Sequence, residues 1–171
     1  SIIAHEDGGL RGEYRGKYVE SPDQLIQSLH NGANSTYKTY MLGINQRCYI
    51  DQDTVLRRIP VELSGFPAIM PAYTDRDQKA GDYLRFTLAH PAYVYVAYGT
   101  GAATLPRWLG NFNKLDDMTL EIDDEWYGVR RLQIYRQEFP AGEVVLGGNA
   151  ADGARGKLEA TYLVVCEKKS K

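Results

Sequence analysis

The sequence predicts an all-β fold, a jelly-roll-like β-sandwich carrying a short, partly helical N-terminal extension. Three observations carry that expectation. Apolar and polar residues alternate with period two through residues 83–97: Leu84, Phe86 and Leu88 interleave with Tyr83, Arg85 and Thr87, then Val94 and Val96 with Tyr93, Tyr95 and Ala97. Turn chemistry recurs at short intervals, as Ser64-Gly65, Phe66-Pro67, Pro140-Ala141-Gly142 and Gly147-Gly148-Asn149. Tyrosine outnumbers phenylalanine by 13 to 4, which suits strand faces that need a ring with a wet end.

Residues 1–47 read as the extension and 48–171 as the sandwich domain. The opening SIIAHEDGGLRGEYRGKY is polar, contains glycine and lacks strong periodicity. Ser21 is placed to cap a helix with Pro22 at its first position; Leu25, Ile26 and Leu29 give one apolar stripe, and Asn31-Gly32 ends it. Asn34-Ser35-Thr36 is a formal glycosylation sequon, relevant in a eukaryotic secretory host. Strands are then expected at Cys48-Tyr49-Ile50, Leu56 to Ile59, Ala68 to Met70, the two alternating segments, Leu132 to Tyr135, Glu143 to Leu146 and Thr161 to Glu167. Several short strands divided by turns fit a sandwich or barrel.

A length of 171 residues fits one domain whose core needs neither disulfide nor metal. Twenty Lys and Arg against 22 Asp and Glu leave a net charge of −2, so no global field recruits nucleic acid or an anionic membrane. No run approaches the roughly 18 apolar residues of a membrane span, and no signal-peptide pattern is present. The chain opens on Ser1 rather than methionine, which fits a product of a longer exported precursor and gives the expectation of a secreted or periplasmic location. Cys48 and Cys166 lack the spacing of a zinc or haem site. They are either two buried thiols or a bridge between neighbouring first and last strands, which would contribute up to roughly 4–5 kcal/mol.

The order of landmarks is informative: Cys48-Tyr49-Ile50-Asp51, Ile59-Pro60 with Leu63 and Gly65, Asp75 to Lys79, Val94 to Ala97, Pro106 with Trp108-Leu109, Phe139 to Gly142, Leu146 to Asn149, and Tyr162 to Val165. Taken together it resembles a β-sandwich accessory module, often near the C-terminus of secreted bacterial proteins, including polysaccharide-degrading enzymes. The resemblance covers about residues 48–167 and leaves the first 47 unexplained. It implies a non-catalytic, carbohydrate-binding-module-like domain, but it transfers no binding residues. Most of the matching positions read as scaffold. Gly147-Gly148-Asn149 lacks the spacing and the Lys-Ser/Thr pair of a phosphate loop and reads as a turn with positive φ angles, and Trp108 reads as a plug in the core.

Candidate sites therefore come from residue chemistry. Tyr93 and Tyr95 would line a solvent-facing sheet surface, and Trp126-Tyr127, in the acidic run that begins at Glu121, would form either an exposed aromatic pair or a loop pair folded back onto the sheet. Sugar rings stack their C–H faces on such planes while charged and amide groups fix the hydroxyls. Asp75, Asp77 and Asp82 could supply oxygen ligands to a structural calcium, although Lys79 sits where an EF-hand loop would place a ligand and no glutamate closes the set. A solvated loop is the simpler reading. Asp116, Asp117 and Glu125 raise glycoside hydrolysis, but nothing in the sequence holds two of them at a defined separation. His5, His30 and His90 lie far from any nucleophile elbow. The expectation is a module that binds polysaccharide or oligosaccharide without a required cofactor, attached to other domains of a larger secreted protein. The alternative is a docking domain in an extracellular assembly.

Overall fold

The computed structural model describes residues 16–170, and among them there is no α-helix. The strands are β1 (Ile26–Asn31), β2 (Lys38–Met41), β3 (Thr54–Arg58), β4 (Pro67–Met70), β5 (Leu84–Leu88), β6 (Ala92–Gly99), β7 (Ala102–Thr104), β8 (Asn113–Asp124), β9 (Gly128–Phe139), β10 (Gly142–Leu146), β11 (Arg155–Gly156) and β12 (Leu163–Lys168). They make a three-stranded sheet, β1-β5-β10, a seven-stranded sheet, β2-β4-β12-β6-β9-β8-β3, and a β7-β11 ribbon. β5 and β6, consecutive in sequence, lie in different sheets, so the short link between them is a corner of the sandwich.

Alternation places the main core. Leu84, Phe86 and Leu88 of β5 and Val144 and Leu146 of β10 face Val94, Val96 and Tyr98 of β6 and Val164 and Cys166 of β12. Burying these side chains between two sheets is the chief force holding the sandwich together. The seven-stranded sheet also buries its other face. The chain after β2 reaches β3 at the opposite edge, where the Asn45 N–H donates to Leu56 O at 2.8 Å and the Leu56 N–H to Gln46 O at 2.9 Å. The sheet therefore curls around a second cluster that includes Tyr40, Tyr49, Leu56, Met70, Leu120, Ile122, Leu132 and Val165.

Several expectations change. The Ser21–Asn31 segment is not a helix. Ser21 Oγ accepts the Asp23 N–H and Asp23 Oδ1 the Leu25 N–H, and these turns lead into strand β1 on the edge of β5. Ser28 takes φ 52°, and the register steps so that Ser28 and Leu29 together oppose Phe86. That bulge turns Leu29 toward the same core as Ile26, so an apolar spacing of three arises in a strand. Residues of the expected extension thus supply β1 and β2 to the two sheets, while residues 1–15, with His5, fall outside the described part. Cys48-Tyr49-Ile50 forms no strand and leads into a turn.

The Cys48–Cys166 bridge is absent. Both are free buried thiols, Cys166 in the cluster between the sheets and Cys48 in the one inside the curl. Gly147 and Gly148 do not carry positive φ either. Their lack of a side chain serves close approach: a Cβ on Gly147 would lie 2.3 Å from Trp108 Cδ1, and one on Gly148 2.2 Å from the Gln78 carbonyl oxygen. Trp108 packs against the main core and donates its indole N–H to Gly148 O at 2.9 Å, as a plug should.

Candidate functional site

The β8–β9 hairpin projects Trp126 and Tyr127 into solvent, 83% and 61% exposed. Asp124, the last residue of β8, organises the tip. Its Oδ1 accepts the backbone N–H groups of Trp126 at 2.9 Å and Tyr127 at 2.6 Å, and Gly128 closes the turn at φ 73°. Its Oδ2 pairs with Arg130 Nη2 at 2.5 Å, and the Asp124 side chain is only 1% exposed. An Asx-type turn of this kind fixes the backbone from which the two rings project.

Arg130 forms the base of the site. Its Nη1 donates to Tyr73 Oη at 2.7 Å and to the Glu159 carbonyl at 3.1 Å. Its guanidinium lies 5.1 Å from the Tyr127 ring centre and 5.3 Å from that of Tyr73, whose ring plane is within 10° of Tyr127 at 6.2 Å. Arg76 approaches Tyr73 as well, its guanidinium 4.8 Å from the ring centre. Such cation–π contacts are worth about 0.5–2 kcal/mol each and hold flat groups in defined positions. Tyr73, Arg76, Tyr127, Arg130 and Glu159 line a groove of about 360 Å³. A second hollow of about 270 Å³, lined in part by Gly101, Lys157 and Glu159, adjoins it through Arg130 and Glu159.

The wall bearing Tyr73 and Arg76 is a 3₁₀ turn, Tyr73–Asp77, held from several sides. Asp51 accepts the Tyr73 N–H at 2.6 Å and the Thr74 N–H at 3.1 Å. Thr161 Oγ1 donates to the carbonyls of Ala72 and Tyr73 at 2.7 and 3.1 Å. Buried Asn149 donates to Arg76 O at 3.1 Å while its own Oδ1 accepts the Tyr162 N–H at 3.0 Å. Asp51 and Asn149 are among the landmark residues, and in the folded chain they fix the groove wall.

The expected calcium loop does not assemble. Asp75 turns inward, where its Oδ2 accepts the phenol hydrogens of Tyr37 at 2.6 Å and Tyr83 at 2.7 Å. Asp82 points to Arg85 at 3.0 Å, and Asp77 is exposed. Among the described residues no three His, Cys, Asp or Glu side chains are grouped to hold a metal ion.

Tyr93 and Tyr95 do not join the hairpin aromatics. Tyr95 is 6% exposed, faces the inside of the curl and donates to Glu167 at 2.7 Å. Its expected open face is covered because the sheet rolls over it. Tyr93 is half-buried under Arg136 and Lys169. It pairs with Glu138 on β9, whereas the hairpin tip meets β9 at Gly128. Ten residues of strand separate the two, about 33 Å at the usual rise. Asp117 sits in a bulge of β8 at φ 63°, and from Thr119, past the bulge, to Asp124, next to Glu125, the strand alone runs about 17 Å. That is well beyond the roughly 5–9.5 Å between the carboxyls of a glycosidase pair. Arg76, Arg130 and Glu159 were not singled out by sequence; they meet only through the fold.

No protein-family model matches the chain, and no curated protein matches it. Among solved structures it is similar to part of a β-glucuronidase from glycoside hydrolase family 2, with a TM-score of 0.72 and 16% identity over 86% of this chain and 15% of that one. It is also similar to part of a GH138 enzyme targeting pectin rhamnogalacturonan II, with a TM-score of 0.52 and 16% identity over 91% of this chain and 17% of that one. The chain thus spans only a small share of either enzyme, and at this identity the likeness is one of fold: a β-sandwich domain of the kind found within large glycoside hydrolases.

Proposed function

We propose that the chain is a non-catalytic glycan-binding module of a larger secreted, glycan-active protein, and that it binds sugar at the hairpin groove. The observation that carries this reading is the display of Trp126 and Tyr127 beside a groove walled by Arg76, Arg130 and Glu159. Planar rings offer stacking surfaces to the C–H faces of pyranosides, and the guanidinium and carboxylate groups complement hydroxyls. The fold likeness to parts of two glycan-cleaving enzymes supports the same reading. Tyr93 and Tyr95 have no part in this site.

The test is isothermal titration calorimetry of the chain against a panel of plant and animal oligosaccharides. Saturable binding of at least one class, weakened tenfold or more in Trp126→Ala or Tyr127→Ala with an unchanged unfolding curve, supports the proposal. Absence of heat or shift for every glycan would overturn it and favour a docking role within the larger protein.

A further inference from the structure

We infer that the groove selects sugars bearing a carboxylate, with Arg76 as the counter-ion; this rests on the glycan-binding reading and names its substrate class. The two guanidiniums at the groove differ in what already satisfies them. Arg130 spends its charge inside the protein, on buried Asp124, with further donors committed to Tyr73 and the Glu159 carbonyl. Arg76 makes one hydrogen bond, from Nη1 to Tyr73 O at 3.3 Å, and among the described residues no carboxylate lies within 4.0 Å of it. A guanidinium carries five N–H donors in a planar fork, so Arg76 keeps most of its donors for a ligand.

Its position is also fixed in advance. The Arg76 backbone is held by Asn149, its neighbour Asp75 by Tyr37 and Tyr83, and its guanidinium rests on the Tyr73 ring. A fork held in place this way loses little freedom on binding and matches a planar carboxylate bidentately. The groove's own acid does not compete. Glu159 Oε2 lies within reach of Gly101, 3.7 Å from where a Cβ there would sit, in the adjoining hollow that also holds Lys157. The groove is thus cationic at the Arg76 end. A pyranoside lying against Tyr127 would direct a ring-borne carboxylate to Arg76 and its hydroxyls toward Glu159.

The test uses trigalacturonate and a glucuronate-terminated xylo-oligosaccharide, each as free acid and as methyl ester, beside neutral oligosaccharides. The ester keeps the ring and removes the charge. Calorimetry should show at least one acid binding about tenfold tighter than its ester, the order expected of one charge-assisted hydrogen bond. Arg76→Gln should close that gap by weakening the acid far more than the ester, with the unfolding curve in place. Neutral sugars or esters binding as well as the acids would overturn this inference and leave glycan binding standing. An acid preference that survives in Arg76→Gln would overturn the role of Arg76. Failure of every sugar, charged or neutral, would remove both readings together.

Discussion

Replacing Asp124 with alanine should cost about 3–4 kcal/mol of stability. The side chain is 1% exposed and its partner Arg130 is 11% exposed, so the ion pair is shielded from water on both sides. Removing one member of a buried pair leaves the other uncompensated, typically at about 3–5 kcal/mol. Arg130 would retain Tyr73 Oη, the Glu159 carbonyl and two ring faces, which places the loss toward the lower end. Trp126 and Tyr127 also lose the acceptor of their N–H groups, but at the hairpin tip water replaces it, adding at most about 1 kcal/mol. For a chain of this size each kcal/mol moves the midpoint by about 2–4 °C, so Tm should fall by roughly 6–16 °C. Urea and thermal unfolding followed by circular dichroism measure both quantities. Because the desolvation of two charges is relieved together, Asp124→Ala with Arg130→Leu should be less destabilised than the sum of the single changes by at least about 1.5 kcal/mol. A loss under about 1 kcal/mol for Asp124→Ala, or strictly additive effects, would refute the pair as the anchor of the hairpin.

Gly148→Ala drives a Cβ to 2.2 Å from the Gln78 carbonyl, whereas a Cβ on Gly81 meets nothing within 4 Å; the first should destabilise by about 1–3 kcal/mol and weaken glycan binding by shifting the Arg76 wall, and the second should do neither, as denaturation and calorimetry of the two variants will show. Cys48 and Cys166 are buried and their thiols are pushed up by that burial, so thiol titration should find none reactive in the native protein and two after unfolding; a single fast-reacting thiol would contradict their placement. Burial, reinforced by the bond to Glu167, pushes Tyr95 up to about 12, and burial pushes Tyr98 to about 12 as well. Both ionise less readily folded than unfolded, so the stability tied to their neutral forms is complete below pH about 10 and is lost as pH rises through about 12. Tyrosinate absorbance at these sites should appear together with loss of the circular dichroism signal, and full ionisation near pH 10 with the native spectrum intact would contradict it.

Strands β5 and β10 are legible from undisturbed alternation, and β6 and β12 from runs of β-branched and aromatic residues, buried on both faces, between turn residues. β1 is not, because the Ser28 bulge gives a strand the three-residue apolar spacing of a helix. β8 also escaped notice. Leu120 and Ile122 point inward between Glu121 and Asp123, but the density of acids around them masks this alternation. At the site, Trp126 and Tyr127 could be found because two adjacent aromatics stand within an acidic run. Tyr93 and Tyr95 show the limit of period two: alternation separates the faces of a strand, yet the curling of the whole sheet decides which face meets water. Arg76, Arg130 and Glu159 come from three distant segments and converge only through strand register and the bonds of Asp51, Asn149 and Thr161.

The most direct test of the groove is two-dimensional ¹H–¹⁵N NMR of the chain during titration with a glycan that binds, observing the tryptophan indole and arginine side-chain N–H signals. Binding at the hairpin should move the Trp126 indole and the Arg76 and Arg130 side-chain signals at one common Kd, and leave Trp108, held on Gly148 in the core, and Arg136 near Tyr93 in place. Shifts confined to the Arg136 end of β9, with Trp126 and Arg76 unmoved, would contradict the account.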